Sequence, residues 1–157
     1  MGGAQGFATS NCKYDMNKSV RLAIVDDHAM VRQTWRMVLQ RDARIDVIAE
    51  CASGAEAIEC AQKDVPDVML MDINMAPVNG FDATREIVRA QPQIKIIGTS
   101  INNQTAYVRA LLQAGAKGYV TKNSSSEEMI SAILIVHEGG TYICKDVESK
   151  TDGKKTT

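Results

Sequence analysis

The sequence lacks several features that would have fixed its class at once. No two of Cys12, Cys51, Cys60 and Cys144 stand in a CxxC spacing, which disfavours a zinc site, and no apolar leader with a cleavage site precedes them, which disfavours a secreted disulfide framework. They read as reduced thiols, and the expected location is cytoplasmic. No apolar run approaches the roughly 18 residues of a membrane span. Neither sign of charge dominates, with 18 Lys and Arg against 19 Asp and Glu, so the molecule as a whole does not advertise nucleic acid or an anionic membrane as a partner. A basic recognition helix is also missing.

What remains is a chain of 157 residues with ordinary composition, long enough for one domain with a real core. Residues 1–18 and 145–157 are rich in small polar types and lack periodicity, so they are expected to be a disordered N-terminal extension and a flexible C-terminal tail around a domain at 19–144. Within that domain the runs "VRLAIVDD", "IDVIAEC", "DVMLMD", "IKIIGTS" and "KGYVT" read as strands. Between them lie helical patterns. Val31, Trp35, Val38 and Leu39 share one helical face, as do Phe81, Thr84, Ile87 and Val88, and then Thr105, Val108, Leu111 and Leu112. Ser53 with Glu56 forms a capping box, either Ser124 with Glu127 or Ser125 with Glu128 forms another, and Gly139 supplies a helix C-cap.

Nearly all-apolar strands separated by helices require a parallel sheet covered on both faces. The expected fold is a flavodoxin-like, doubly wound (βα)5 three-layer α/β sandwich with strand order 2-1-3-4-5. Right-handed crossovers cover both faces only if the winding reverses, which leaves a crevice at the carboxyl ends of the strands.

Polar residues gather at that edge. Asp26 and Asp27 follow the first strand, Asp72 ends the third, Ser100 ends the fourth and Lys122 follows the fifth. Singly, each has an ordinary explanation as a turn, a cap or a solvated charge. Jointly, at one edge of one sheet, they point to a site. Three carboxylates within about 5 Å repel by roughly 3 kcal/mol per pair at an effective dielectric near 20, so a cation must offset them. Mg²⁺ suits such a site because it takes a few carboxylates and keeps water or phosphate oxygens as its other ligands. Lys122 can add a second positive charge. Asp72 beside such an ion is placed to act as a nucleophile that forms an acyl phosphate.

These residues resemble those of response-regulator receiver (CheY-like) domains, in particular the NarL/FixJ-type (LuxR-type) subfamily. The resemblance runs from about Val20 to Cys144 through "VDDHAMVR", "MLMDINMAPVNG", "IIGTSINN", "GAKGYVTK" and "EGGTYIC", with steps of 28 from Asp72 to Ser100 and 50 to Lys122. It implies that Asp72 is the phosphoacceptor, that Asp26, Asp27, Asp72 and the backbone carbonyl of Asn74 hold Mg²⁺, and that Ser100 and Lys122 contact the phosphoryl group. Tyr119 resembles the switch aromatic that turns inward as Ser100 moves. The implied partners are a sensor histidine kinase and a second copy of the chain, through either the fourth helix, fifth strand and fifth helix or the first and fifth helices. DNA would be reached only through an output domain outside this chain. The protein is then a switch, not an enzyme in the ordinary sense.

The chain departs from the family pattern where proline is usual. Ala29 and Ala76 occupy those positions, with Pro77 one place later, so the loop beside Asp72 is expected to follow a different path. Ile101 is large for its position. His28 is read as opening the first helix instead of serving as a phosphate relay or metal ligand. The last helix, "SEEMISAILIVHE", is apolar more than halfway round, which suggests a partner surface in addition to core burial. The rival from another class is a Mg²⁺-dependent haloacid-dehalogenase-like phosphatase, but that chemistry needs a second acid two residues after the nucleophile, where Asn74 stands. A flavodoxin-like FMN carrier is weaker still, since "DDHA" would repel a phosphate unless a metal intervened.

Overall fold

A computed structural model describes residues 18–101 and 105–147. The expectations for residues 1–17 and 148–157 therefore lie outside the described residues, as do Asn102, Asn103 and Cys12. The element order is β1 (Val20–Val25), α1 (Ala29–Leu39), β2 (Ile45–Cys51), α2 (Gly54–Lys63), β3 (Val68–Asp72), α3 (Gly80–Ala90), β4 (Lys95–Ser100), α4 (Thr105–Gln113), β5 (Gly118–Thr121), α5 (Ser126–His137) and β6 (Tyr142–Ile143). All pairs are parallel, and the sheet order is β2-β1-β3-β4-β5-β6. The first five strands stand in the order the sequence implies.

Burial explains why those runs are strands. All five residues of β3 are buried, and so are the last four of β1, as befits central strands of a parallel sheet with helices on both faces. Helices α1 and α5 pack together on one face, and α2, α3 and α4 succeed one another on the other. The two faces are reached by opposite windings from β1, which places the switch of direction between β1 and β3.

The register carries the functional side chains to one edge. Val25 pairs with Met71, Asp72 with Thr99, and Ser100 with Thr121. The residues that follow Val25 and Thr121 are Asp26 and Lys122.

Local signals fix the helices. Ser53 accepts a hydrogen bond from the Glu56 amide and Ser125 one from Glu128, so the second of the two caps open at α5 is the one used. Asn79 caps α3 in the same way. Gly139 has φ +102° just past α5. The glutamate of the α5 cap does not reach back. It accepts the Tyr142 hydroxyl at 2.8 Å and the Lys145 amide at 3.1 Å, which pins β6 to the helix. The sixth strand pairs only two residues with β5, too few to show a period of two. Val147 beyond it is buried in the core.

Two helices differ in how far their apolar faces sink. On α1 only Leu39 is fully buried, while Val31, Trp35 and Val38 are half-buried. On α5, Met129, Ala132, Ile133 and Val136 are buried and Ile130 and Leu134 are half-buried, which leaves Ile135 as the exposed large apolar residue. Core contact therefore accounts for most of that helix's apolar circumference. Cys51, Cys60 and Cys144 are free and buried, and the Ala76–Pro77 peptide is cis.

Gly80 opens α3 directly against the end of β3. A Cβ there would collide with the backbone of Asp72 and Ile73, atoms that cannot swing aside as a side chain can. Gly80→Ala is expected to cost about 1–3 kcal/mol through overpacking, read as a lower urea midpoint with an unchanged m-value.

Candidate functional site

β1 and β3 deliver Asp26 and Asp72 side by side, and both are almost fully buried. Asp27 and His28, in the turn before α1, are exposed. Ligand-capable atoms of Asp26, Asp27, His28 and Asp72 all lie within 4.8 Å of one another. The separation matches what strand-end spacing implies for the three aspartates.

Lys122 sits across the two buried carboxylates. Its Nζ is 2.6 Å from Asp26 Oδ2 and 3.3 Å from Asp72 Oδ2, with the side chain 13% exposed. Its amide donates to the Ser100 carbonyl at 2.8 Å, so β4 fixes where the lysine stem departs.

The two oxygens of Asp72 differ. Oδ1 accepts the Asn74 amide at 3.0 Å. Oδ2 is buried without a hydrogen bond, because Lys122 approaches it as an ion pair lacking hydrogen-bond geometry. Burial raises the pKa of Asp72, and the nearby Asp26 charge adds to the rise, while the Asn74 amide and Lys122 act against it. A buried carboxylate oxygen lacking a hydrogen bond, within reach of two further carboxylates, suits a hard oxygen-seeking cation. The cluster can hold a metal ion.

Sequence reasoning missed part of this arrangement. Asn74 is more than a non-acid at its position: its side-chain amide donates to Ser100 Oγ at 3.0 Å, joining the loop after β3 to β4. Ser100 is fully buried. Behind it lies Tyr119, also fully buried, whose hydroxyl hydrogen-bonds with Ser100; burial pushes the Tyr119 pKa up and the bond to Ser100 pulls it down. His28 opens α1 as expected, without a side-chain cap bond. Its ring, however, lies on the acids, with Nδ1 2.9 Å from Asp27 Oδ1 and 3.2 Å from Asp26 Oδ1. Ile101 is 74% exposed and flanks Ser100 on the outside.

The raised pKa of Asp72 has a definite sign for stability. The native state holds its proton more tightly than the unfolded chain, so the ionised group destabilises the fold above its folded pKa, and the cost fades as pH falls toward the ordinary carboxylate range. Without divalent cation, Asp72→Asn is expected to melt a few degrees higher than the parent at neutral pH. The gap should close on acidification, as measured by thermal unfolding across pH.

Residues 22–134 match the family described as response regulator receiver domain. The transcriptional regulatory protein DegU of Brevibacillus brevis is 37% identical over 124 residues, covering 79% of this chain and 52% of that protein. The response regulator GacA of Pseudomonas viridiflava is 36% identical over 128 residues, covering 82% and 60%. The chain thus spans about half to three-fifths of the length of these relatives. Among solved structures, a LuxR-family two-component response regulator from Aurantimonas sp. SI85-9A1 superposes with TM-score 0.85 at 28% identity, covering 89% of this chain and 100% of that one. The receiver domain of a response regulator NarL from Mycobacterium tuberculosis does so with TM-score 0.74 at 29% identity, covering 78% and 98%. With the fold, the strand-edge acids and the match over most of its length in agreement, the chain belongs to the response regulator receiver domain family, with relatives among the NarL/LuxR-type regulators.

Proposed function

We propose that this chain is a phosphorylation switch in which Asp72 takes a phosphoryl group from a phosphohistidine on a sensor histidine kinase, or from a small phosphodonor. The observation that carries the reading is Asp72 Oδ2: buried, without a hydrogen bond, and 3.3 Å from the Lys122 ammonium. Asn74 occupies the other oxygen, so Oδ2 is the nucleophile. In the transfer, the new O–P bond forms as the P–N bond to the donor imidazole breaks, and the electron pair leaves with the imidazole, which takes up a proton.

Asp26, Asp27 and Asp72, with the Asn74 backbone carbonyl, would hold Mg²⁺, which when bound neutralises charge on the transferring oxygens. Lys122 must release part of its hold on Asp72 and pair with the phosphoryl group instead. Ser100 would exchange the Asn74 amide for a phosphoryl oxygen, and its movement would be felt by Tyr119 through their hydrogen bond. A switch from 1:99 to 99:1 needs about 5.5 kcal/mol of differential stabilisation, within reach of a few charge-assisted hydrogen bonds at about 1.5–3 kcal/mol each. The strands and helices bearing these groups, β4, α4 and β5, are then the moving parts.

The output would be transcription control through a DNA-binding segment outside this chain, in line with the transcriptional regulator DegU among its relatives. Dimerisation through α4, β5 and α5, or through α1 and α5, would accompany it. No helix among the described residues is long and apolar enough to cross a membrane, consistent with a cytoplasmic setting. The phosphatase alternative is disfavoured because Asn74, two residues after Asp72, is an amide engaged with Ser100 and cannot shuttle a proton.

Incubation with acetyl phosphate and Mg²⁺ should add one phosphoryl group by intact mass. Asp72→Asn should abolish it, and Lys122→Ala should slow it by about tenfold or more through loss of a charge-assisted contact. Multiple-turnover hydrolysis of varied phosphate esters, or no adduct on the parent protein, would sink the reading.

A further inference from the structure

Arg32 stands outside the acidic cluster yet touches it. From the first turns of α1, its Nη1 donates to the Asp26 carbonyl at 2.7 Å and its Nε to Glu50 Oε1 at 3.3 Å. Glu50 lies on β2 and takes Arg36 Nη1 on its other oxygen at 2.7 Å. The Asp26 amide in turn donates to the carbonyl of Cys51, at the end of β2. The Asp26 residue is therefore gripped at both backbone ends, by β2 at its amide and by α1 at its carbonyl. Between those grips springs the carboxylate whose Oδ2 meets Lys122 and whose Oδ1 takes the His28 amide at 2.9 Å.

A purely stabilising role would need only a helix-to-sheet ion pair, and Arg36 with Glu50 already provides one. Arg36, half exposed, bonds Glu50 and not Asp26; Arg32, at 16% exposure, bonds both. Two donors of one planar guanidinium serve two acceptors on different elements at once, which a lysine cannot reproduce. Glu50 holds that plane in place, and both arginines depress its pKa, Arg36 the more.

We infer that Arg32, oriented by Glu50, is a positioning residue for Asp26. It fixes the backbone from which that carboxylate reaches Lys122 and the cation site, and so ties α1 to the phosphoacceptor centre. The inference deepens the proposed function and rests on it for the role of the cation. Groups that orient metal ligands commonly change affinity by about 10–100-fold when removed.

The test compares Arg32→Ala, Arg32→Lys and Arg36→Ala in the whole chain. Hydrogen exchange is followed by mass spectrometry over the peptide containing Asp26 to His28 without metal, alongside Mg²⁺ affinity by calorimetry and the urea midpoint. Arg32→Ala should speed exchange at Asp26–His28 and weaken Mg²⁺ binding by about tenfold or more. Arg32→Lys should fall between it and the parent, and Arg36→Ala should lower the urea midpoint while leaving exchange and affinity unchanged. Equal effects of the two alanine variants, or unchanged Mg²⁺ affinity in folded Arg32→Ala, would overturn the inference. If the parent bound no Mg²⁺ and took no phosphoryl group while Arg32→Ala still loosened Asp26–His28, the functional reading would fail and the backbone restraint would stand.

Discussion

Everything at this edge of the sheet turns on one buried charge. Asp72 ends a strand whose every residue is out of water, and a carboxylate there is costly unless something positive answers it. Lys122 answers it only in part. The ammonium lies closer to Asp26 than to Asp72, and it leaves Asp72 Oδ2 without a hydrogen bond. Under the proposed function, that residual cost is what a cation or a phosphoryl group at Asp72 Oδ2 would relieve.

The scaffold holds that imbalance in place. Parallel register sets Asp26 beside Asp72 and Ser100 beside Thr121, so four strands fix four side chains without a long loop between them. The amide of Asn74 and the close approach of Gly80 to the β3 backbone hold the loop after Asp72. A second chain of bonds runs backward, from Asp72 through Asn74 to Ser100 and on to Tyr119. Phe81 at the start of α3 stacks on Tyr107 of α4, their ring centroids 6.3 Å apart, so both helices bordering the site share a contact.

Much of this was legible in the sequence for a physical reason. Strands buried on both faces must be apolar throughout, so a polar residue at the end of four of the five strands marks the carboxyl edge, and Asp26, Asp27, Asp72, Ser100 and Lys122 could be read off as neighbours. What could not be read depends on contacts across sequence gaps. The bond of Arg32 to Asp26 is local, but its brace by Glu50 comes from the next strand. The Asn74 side chain could have turned to solvent, and only packing sends it to Ser100. β6 is two residues long, below the length at which a strand pattern exists. Sequence cannot say how deeply a helix sinks, so it could not divide the apolar surface of α5 between core and partner; most of that surface meets the core.

The most direct measurement is the titration of Asp72 itself, by its side-chain carboxyl carbon in NMR, with and without Mg²⁺. A midpoint above the ordinary carboxylate range is expected in metal-free protein, because burial and Asp26 outweigh Lys122 and Asn74, with a marked fall once the cation is added. A metal-free midpoint at or below the ordinary range, unmoved by Mg²⁺, would mean that Lys122 alone satisfies the charge and that the strand end holds no site waiting for a partner.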